Sequence, residues 1–151
     1  FSKINIDRRN THVPDGLAAD KVTAGAEYDK MIQAMGFTDL QLLGLGENGH
    51  IGFNEPGELV AGTHEVQLTK STIEANARLF ADISEVPRTA ITMGLWGIMT
   101  SRKVLLVACG EKKADALRRA LYGPVTAGVP ASILQLHRDL VVVCDQEAMQ
   151  G

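Results

Sequence analysis

The residues best equipped for chemistry lie together in Leu42-Leu43-Gly44-Leu45-Gly46-Glu47-Asn48-Gly49-His50-Ile51-Gly52-Phe53-Asn54-Glu55-Pro56-Gly57. An imidazole titrates near neutral pH and is the common proton carrier of protein sites. Here His50 shares one short segment with the amide of Asn48 and the carboxylate of Glu55. Glycines surround them at 44, 46, 49 and 52. Glycine allows positive φ and close approach of a ligand to the backbone. Gly46 and Gly49 are therefore read as loop-forming, and Asn48-Gly49 as a turn. The apolar run Leu40 to Leu45 reads as a buried parallel strand. Open α/β sheets bind ligands just past such strand ends. A tight glycine-rich connection carrying a surface histidine has the same composition, and the residues alone leave both readings open.

Two groups of cations add to this. Lys112 and Lys113 stand in the first turn of a helix expected over Glu111–Tyr122. A cation there opposes the helix dipole by a few tenths to about 1 kcal/mol. Solvated surface lysines would tolerate that cost. The alternative is an anion site built from the strand end, Gly110 and the helix start. Arg78 is a second candidate, because a guanidinium suits bidentate phosphate binding.

The elements that would position these groups follow from periodicity. Ile4 and Ile6 alternate with polar residues as in a short half-buried strand. Ala24, Tyr28, Met31, Ile32 and Met35 recur at helical spacing within 17–35, with Gly36 as a C-terminal stop. Strands are expected at 39–45, 64–69, 90–94, 103–110 and 140–144. Helices are expected at 71–80, with Ser71 or Thr72 as cap, and at 95–100, 111–122 and 129–136. Strands separated by helical stretches imply an α/β fold, three-layered, with a largely parallel sheet flanked by helices.

The chain has 151 residues and a net charge of −3, enough for one domain with its own core. The charge implies no general affinity for nucleic acid. No segment reaches the roughly 18 apolar residues of a membrane span. Cys109 and Cys144 fall in strands expected to be buried, which suits a reducing cytoplasm better than a disulfide framework. No spacing typical of metal ligands occurs, so no metal is expected. The chain begins at Phe1 without a methionine, as a fragment or processed chain would.

At these residues the sequence resembles the glucosamine-6-phosphate deaminases, in their shorter bacterial branch, which carries Asn at the place of Asn48. The resemblance rests on Leu43 to Pro56 and continues through Asn76-Ala77-Arg78, Val86-Pro87, Ala90 to Gly94, Lys113-Ala114 and Leu134-Gln135-Leu136-His137. It implies a modified Rossmann-like fold of the deaminase and ribose-phosphate isomerase type. It also implies conversion of glucosamine 6-phosphate and water to fructose 6-phosphate and ammonia, with no cofactor. His50 would move the proton during ring opening, with Glu55 and Asn48 orienting and polarising it. Arg78 and Lys113 would hold the phosphate. The related 6-phosphogluconolactonases share a Gly-His element, but Phe53-Asn54-Glu55-Pro56 points to the deaminase.

The departures from the family pattern set further expectations. Family members carry a longer N-terminal part that supplies a phosphate-binding loop and the aspartate that moves the proton between C2 and C1. Asp7, Asp15 and Asp20 lie in the wrong context for that role. Residues 1–151 are thus expected to be a single α/β domain forming the C-terminal two-thirds of a longer deaminase. Its sheet would expose an apolar edge and face. Basic residues are missing from Gly57–Gln67, so allosteric control is not expected. The partner is a small sugar phosphate, with no nucleic acid or membrane, and a homo-oligomer is allowed. The alternatives are a non-catalytic sugar-phosphate binder and a lactone hydrolase on the same fold.

Overall fold

In the computed structural model, which describes residues 1–150, the sheet grows from three short apolar runs. Leu40–Gly44 (β1), Lys103–Ala108 (β4) and Leu140–Cys144 (β5) pair in parallel in the order β1-β4-β5. Two further strands, His64–Gln67 (β2) and Thr89–Thr92 (β3), form a separate antiparallel ribbon. The helices are Lys21–Ala34 (α1), Lys70–Asn76 (α2), Leu95–Met99 (α3) and Ala114–Tyr122 (α4), and a 3-10 segment runs over Pro130–Leu136. This is the expected α/β class, with a mostly parallel sheet flanked by helices.

Side chains alternate across a strand, so each sheet face has its own set. Leu43, Val104, Leu106 and Ala108 point into a core with Leu95 and Ile98 of α3, Ala116, Leu117 and Ala120 of α4, and Leu134. The opposite face aligns Leu42, Leu105 and Val141, then Gly44, Val107 and Val143. Leu42 is 63% exposed, and Leu40, Val141 and Val143 are exposed as well. Among the described residues much of this second face is open. The expectation of an uncovered apolar face therefore holds, and the expectation that Leu40–Leu45 is buried holds for only half the run.

Close backbone contacts join the ribbon to the rest. The start of α3 takes its hydrogen bonds from the chain before β2, Leu95 N–H to Val60 O and Trp96 N–H to Ala61 O, both 2.9 Å. A Cβ at Gly94 would lie 2.1 Å from Gly62 O, so only glycine allows that approach. On α1, Asp29 accepts from the Thr63 N–H at 2.8 Å and from its hydroxyl at 2.5 Å.

Several local expectations are corrected. Residues 4–6 form no strand and are exposed, because no neighbouring strand stands beside them. Helix α1 starts at Lys21, not 17, because Asp20 caps it, accepting from Val22 N–H and Thr23 N–H. Cys109 is exposed beyond the end of β4, and Cys144 is half-buried, so neither is a buried strand residue. Helix α2 ends at Asn76 and tightens into a 3-10 turn over Ala77–Leu79 that carries Arg78. Among the described residues no helix is long and apolar enough to cross a membrane.

The open sheet face yields a prediction. A contiguous apolar surface of this kind drives association. The 151-residue polypeptide made alone is expected to bind an apolar dye and to self-associate. Val141→Lys with Val143→Lys is expected to reduce both. A monodisperse monomer in sedimentation experiments that ignores the dye contradicts this reading of the face.

Candidate functional site

The glycine loop curls back on itself directly after β1. Gly46 N–H bonds His50 O at 2.9 Å and Gly49 N–H bonds Gly46 O at 3.0 Å, which closes a tight turn over 46–49. Gly49 holds φ +91°, a conformation that favours glycine. A Cβ at Gly46 would stand 2.5 Å from the His50 ring, so the bare glycine makes room for the imidazole. Ile51, fully buried, anchors the middle of the loop. Phe53 N–H bonds Thr92 Oγ1 at 3.0 Å, and the Asn54 amide donates to Ile51 O and Met93 O, tying the loop to β3. Ala131 N–H bonds Gly49 O and Gly57 N–H bonds Ala127 O, tying it to the 3-10 segment and the chain before it.

This fold-back brings Asn48, His50 and Glu55 together. Asn48 Nδ2 donates to Glu55 Oε2 at 2.7 Å, and Asn48 Oδ1 accepts from His50 N–H at 3.2 Å. Imidazole Nδ1 lies 3.4 Å from Glu55 Oε2, within ion-pair range, and the ring rests tilted on Phe53. The two side chains are 16% and 5% exposed. Among the described residues nothing bonds His50 Nε2.

Helix α2 contributes groups that periodicity did not single out for chemistry. Thr69 caps α2 and donates its N–H and hydroxyl to Glu55 Oε1, both at 3.3 Å. Thr72 Oγ1 is 3.5 Å from His50 Nδ1 and 3.0 Å from Thr69 Oγ1. The sequence placed Ser71 or Thr72 at the cap. The one usable signal was the pair of hydroxyls three apart at a helix start.

Electrostatics follow from this packing. Burial pushes the His50 pKa down, Glu55 opposes that, and the charge of Lys113 adds to the lowering, with a net fall. Burial pushes Glu55 up. Hydrogen bonds from Thr72 and Asn48, the His50 charge and the Thr69 N–H outweigh it, so the carboxyl lies below its ordinary value. The pair rests as a carboxylate beside a neutral imidazole.

His50 faces a cleft of about 550 Å³ whose floor is the loop and the free edge of β1. Ser71, Thr72 and Asn76 of α2 line one side, with Arg78 beyond them, and Lys113 also lines the cleft. The expected site residues Asn48, His50, Gly46, Arg78 and Lys113 thus border one space, and Glu55 stands behind His50. The expected backbone anion site is different. Gly110 N–H is taken by both oxygens of Asp145, at 3.0 and 2.9 Å, so Lys113 reaches the cleft without that donor. Asp7, Asp15 and Asp20 cap local turns, bonding Arg9, Leu17 and Val22 N–H, and none lines the cleft. Glu47 does line it and is exposed. Among the described residues no cluster of His, Cys, Asp and Glu could hold a metal ion.

Comparison with known proteins shows what the chain is similar to. The chain is 59% identical over 145 residues to a glucosamine-6-phosphate deaminase of Lachnoclostridium phytofermentans, covering 95% of this chain and 61% of the relative. It is 54% identical over 149 residues to a glucosamine-6-phosphate deaminase of Clostridium perfringens strain 13, covering 98% and 62%. The solved structure of a monomeric glucosamine-6-phosphate deaminase superimposes with a TM-score of 0.94 at 43% identity, covering 98% of this chain and 62% of that one. The chain therefore spans about three-fifths of the length of these relatives. With residues 1–143 matching the profile described as glucosamine-6-phosphate isomerases/6-phosphogluconolactonase, the chain belongs to that family.

Proposed function

We propose that the protein carrying these residues is a glucosamine-6-phosphate deaminase, and that residues 1–151 supply its ring-opening pair and part of its phosphate grip. The observation that carries this is His50, with Glu55 Oε2 3.4 Å behind its Nδ1, facing a cleft that Arg78 and Lys113 line. The deaminase names of relatives at 54% and 59% identity support the same reading.

The chemistry needs a group that both takes and returns a proton. His50 Nε2 accepts the proton of the sugar's C1 hydroxyl as C1=O forms and the bond from C1 to the ring oxygen breaks. The imidazolium then gives that proton to the ring oxygen. Glu55 stabilises the cation in between. Arg78 and Lys113 hold the dianionic phosphate at a fixed distance from C1. Moving the proton between C2 and C1 calls for a second base. Glu47 is water-exposed, whereas a base of suitable pKa is ordinarily desolvated. We assign that base to a part of the protein outside these residues, consistent with a single α/β domain longer than 1–151. No cofactor is needed. A phosphorylated sugar does not cross membranes unaided, so the cytoplasm is the natural location.

Two predictions follow from this assignment. The full-length protein is expected to release ammonia from glucosamine 6-phosphate and to leave 6-phosphogluconolactone untouched. His50→Ala should lower kcat by about 100-fold or more. Lactone hydrolysis without ammonia, or binding without turnover, overturns the assignment. The second prediction concerns pH. A base works only when unprotonated, and burial holds His50 below the usual histidine value of about 6.5. The acid limb of kcat/KM should therefore fall below that value. Glu55→Gln removes the charge that favours the imidazolium, so the limb should move further to acid. Movement towards higher pH contradicts the account.

A further inference from the structure

Resting on the reading above, we infer that Thr69 and Thr72 are positioning residues: their hydroxyls hold Glu55 and fix the His50 tautomer that presents a bare Nε2 to the cleft.

Ionised Glu55 can only accept. Its Oε2 takes the Asn48 amide at 2.7 Å, and its Oε1 faces both the Thr69 N–H and the Thr69 hydroxyl at 3.3 Å. Thr69 has one hydroxyl hydrogen, and Oε1 takes it. Its oxygen is then left to accept. The Thr72 hydroxyl at 3.0 Å is the nearest donor, with the Ser71 hydroxyl at 3.1 Å and the Asn48 amide at 3.4 Å beside it. Once Thr72 has donated there or to the nearby carboxylate, its own oxygen can only accept from the third neighbour, His50 Nδ1 at 3.5 Å. Both groups facing Nδ1, Glu55 Oε2 and Thr72 Oγ1, thus ask it for a hydrogen. Two acceptors on one side favour the neutral ring with its proton on Nδ1, which leaves the Nε2 lone pair for substrate.

The clamp also has a mechanical role. Thr72 is buried and sits on α2, and Thr69 caps the same helix. Ser71 and Asn76 of that helix line the cleft, and Arg78 follows it in the next turn. One pair of hydroxyls therefore ties the proton-transfer loop to the cleft wall that carries the guanidinium. Glu55 and Lys113 are the charged groups that act on His50, and neither fixes the tautomer unaided. Glu55 Oε2 at 3.4 Å and Thr72 Oγ1 at 3.5 Å are each long for a hydrogen bond, so the tautomer rests on the two acceptors together, while Lys113 acts through its charge.

The test uses the full-length protein labelled with ¹⁵N histidine. Ring nitrogen shifts report tautomer and pKa of His50 without any substrate, beside steady-state kinetics of ammonia release. In the wild type the neutral ring should be the Nδ1–H form. Thr72→Val keeps the shape and removes the hydroxyl. It should introduce the Nε2–H form and lower kcat roughly 10-fold with KM little changed, a fraction of the 100-fold or more that the whole general base is worth. Thr72→Ser should restore both. A wild-type ring in the Nε2–H form, or a Thr72→Val protein with unchanged tautomer and kcat, overturns the clamp. If no ammonia is released but the tautomer responds as described, the clamp stands and the deaminase reading falls.

Discussion

A carboxylate buried as deeply as Glu55 can remain ionised only if donors replace the water it has lost. Three residues meet that demand: the Asn48 amide, the Thr69 N–H and hydroxyl, and the nearby Thr72. They come from two separate parts of the backbone path, and the anion itself from a third. Asn48 sits in the turn before His50, Glu55 on the far side of the fold-back, and the threonines at the start of α2. Satisfying one anion therefore fixes the relative placement of loop and helix. Losing any of these donors would leave the charge underpaired and loosen both.

The rest of the fold serves that constraint. The fold-back exists because Gly49 takes a conformation that side chains avoid and because Gly46 leaves room for the imidazole. It stays in place because Ile51 is buried and because Phe53, Asn54 and Gly57 bond neighbouring segments. The parallel strands deliver the loop and the turn bearing Lys113 at the same sheet edge, where β1 and β4 run side by side. This is the usual geometry of a ligand site at strand carboxyl ends. Burial and the nearby ammonium then keep His50 neutral, the state in which a ring can accept a proton.

The parts legible in the sequence were local. Asn48, His50 and Glu55 share one loop, so the sequence groups them, while their roles came from the family resemblance. The parallel strands, though not their burial, and the helix over 114–122 followed from the apolar pattern. Three things were hidden for physical reasons. Thr69 and Thr72 meet Glu55 and His50 across a chain reversal, and the sequence reads Thr69 as a strand end and Thr72 only as a candidate helix cap. Ile4 and Ile6 alternate as a strand would, yet pairing needs a neighbour, and among the described residues they have none. Leu40 and Leu42 looked buried because an apolar run does not say which of its faces is covered. The Asp145 carboxylate on Gly110 N–H shows the same limit, since a side chain distant in sequence filled a donor that looked ready for a ligand.

The most direct test of the central claim is a crystal structure of the full-length protein with a reduced, open-chain analogue of glucosamine 6-phosphate. The account predicts the phosphate between the Arg78 guanidinium and the Lys113 ammonium, with the O1 or O5 hydroxyl within hydrogen-bond distance of His50 Nε2. A phosphate bound away from both cations, or a His50 ring whose Nε2 turns from the sugar, would contradict it.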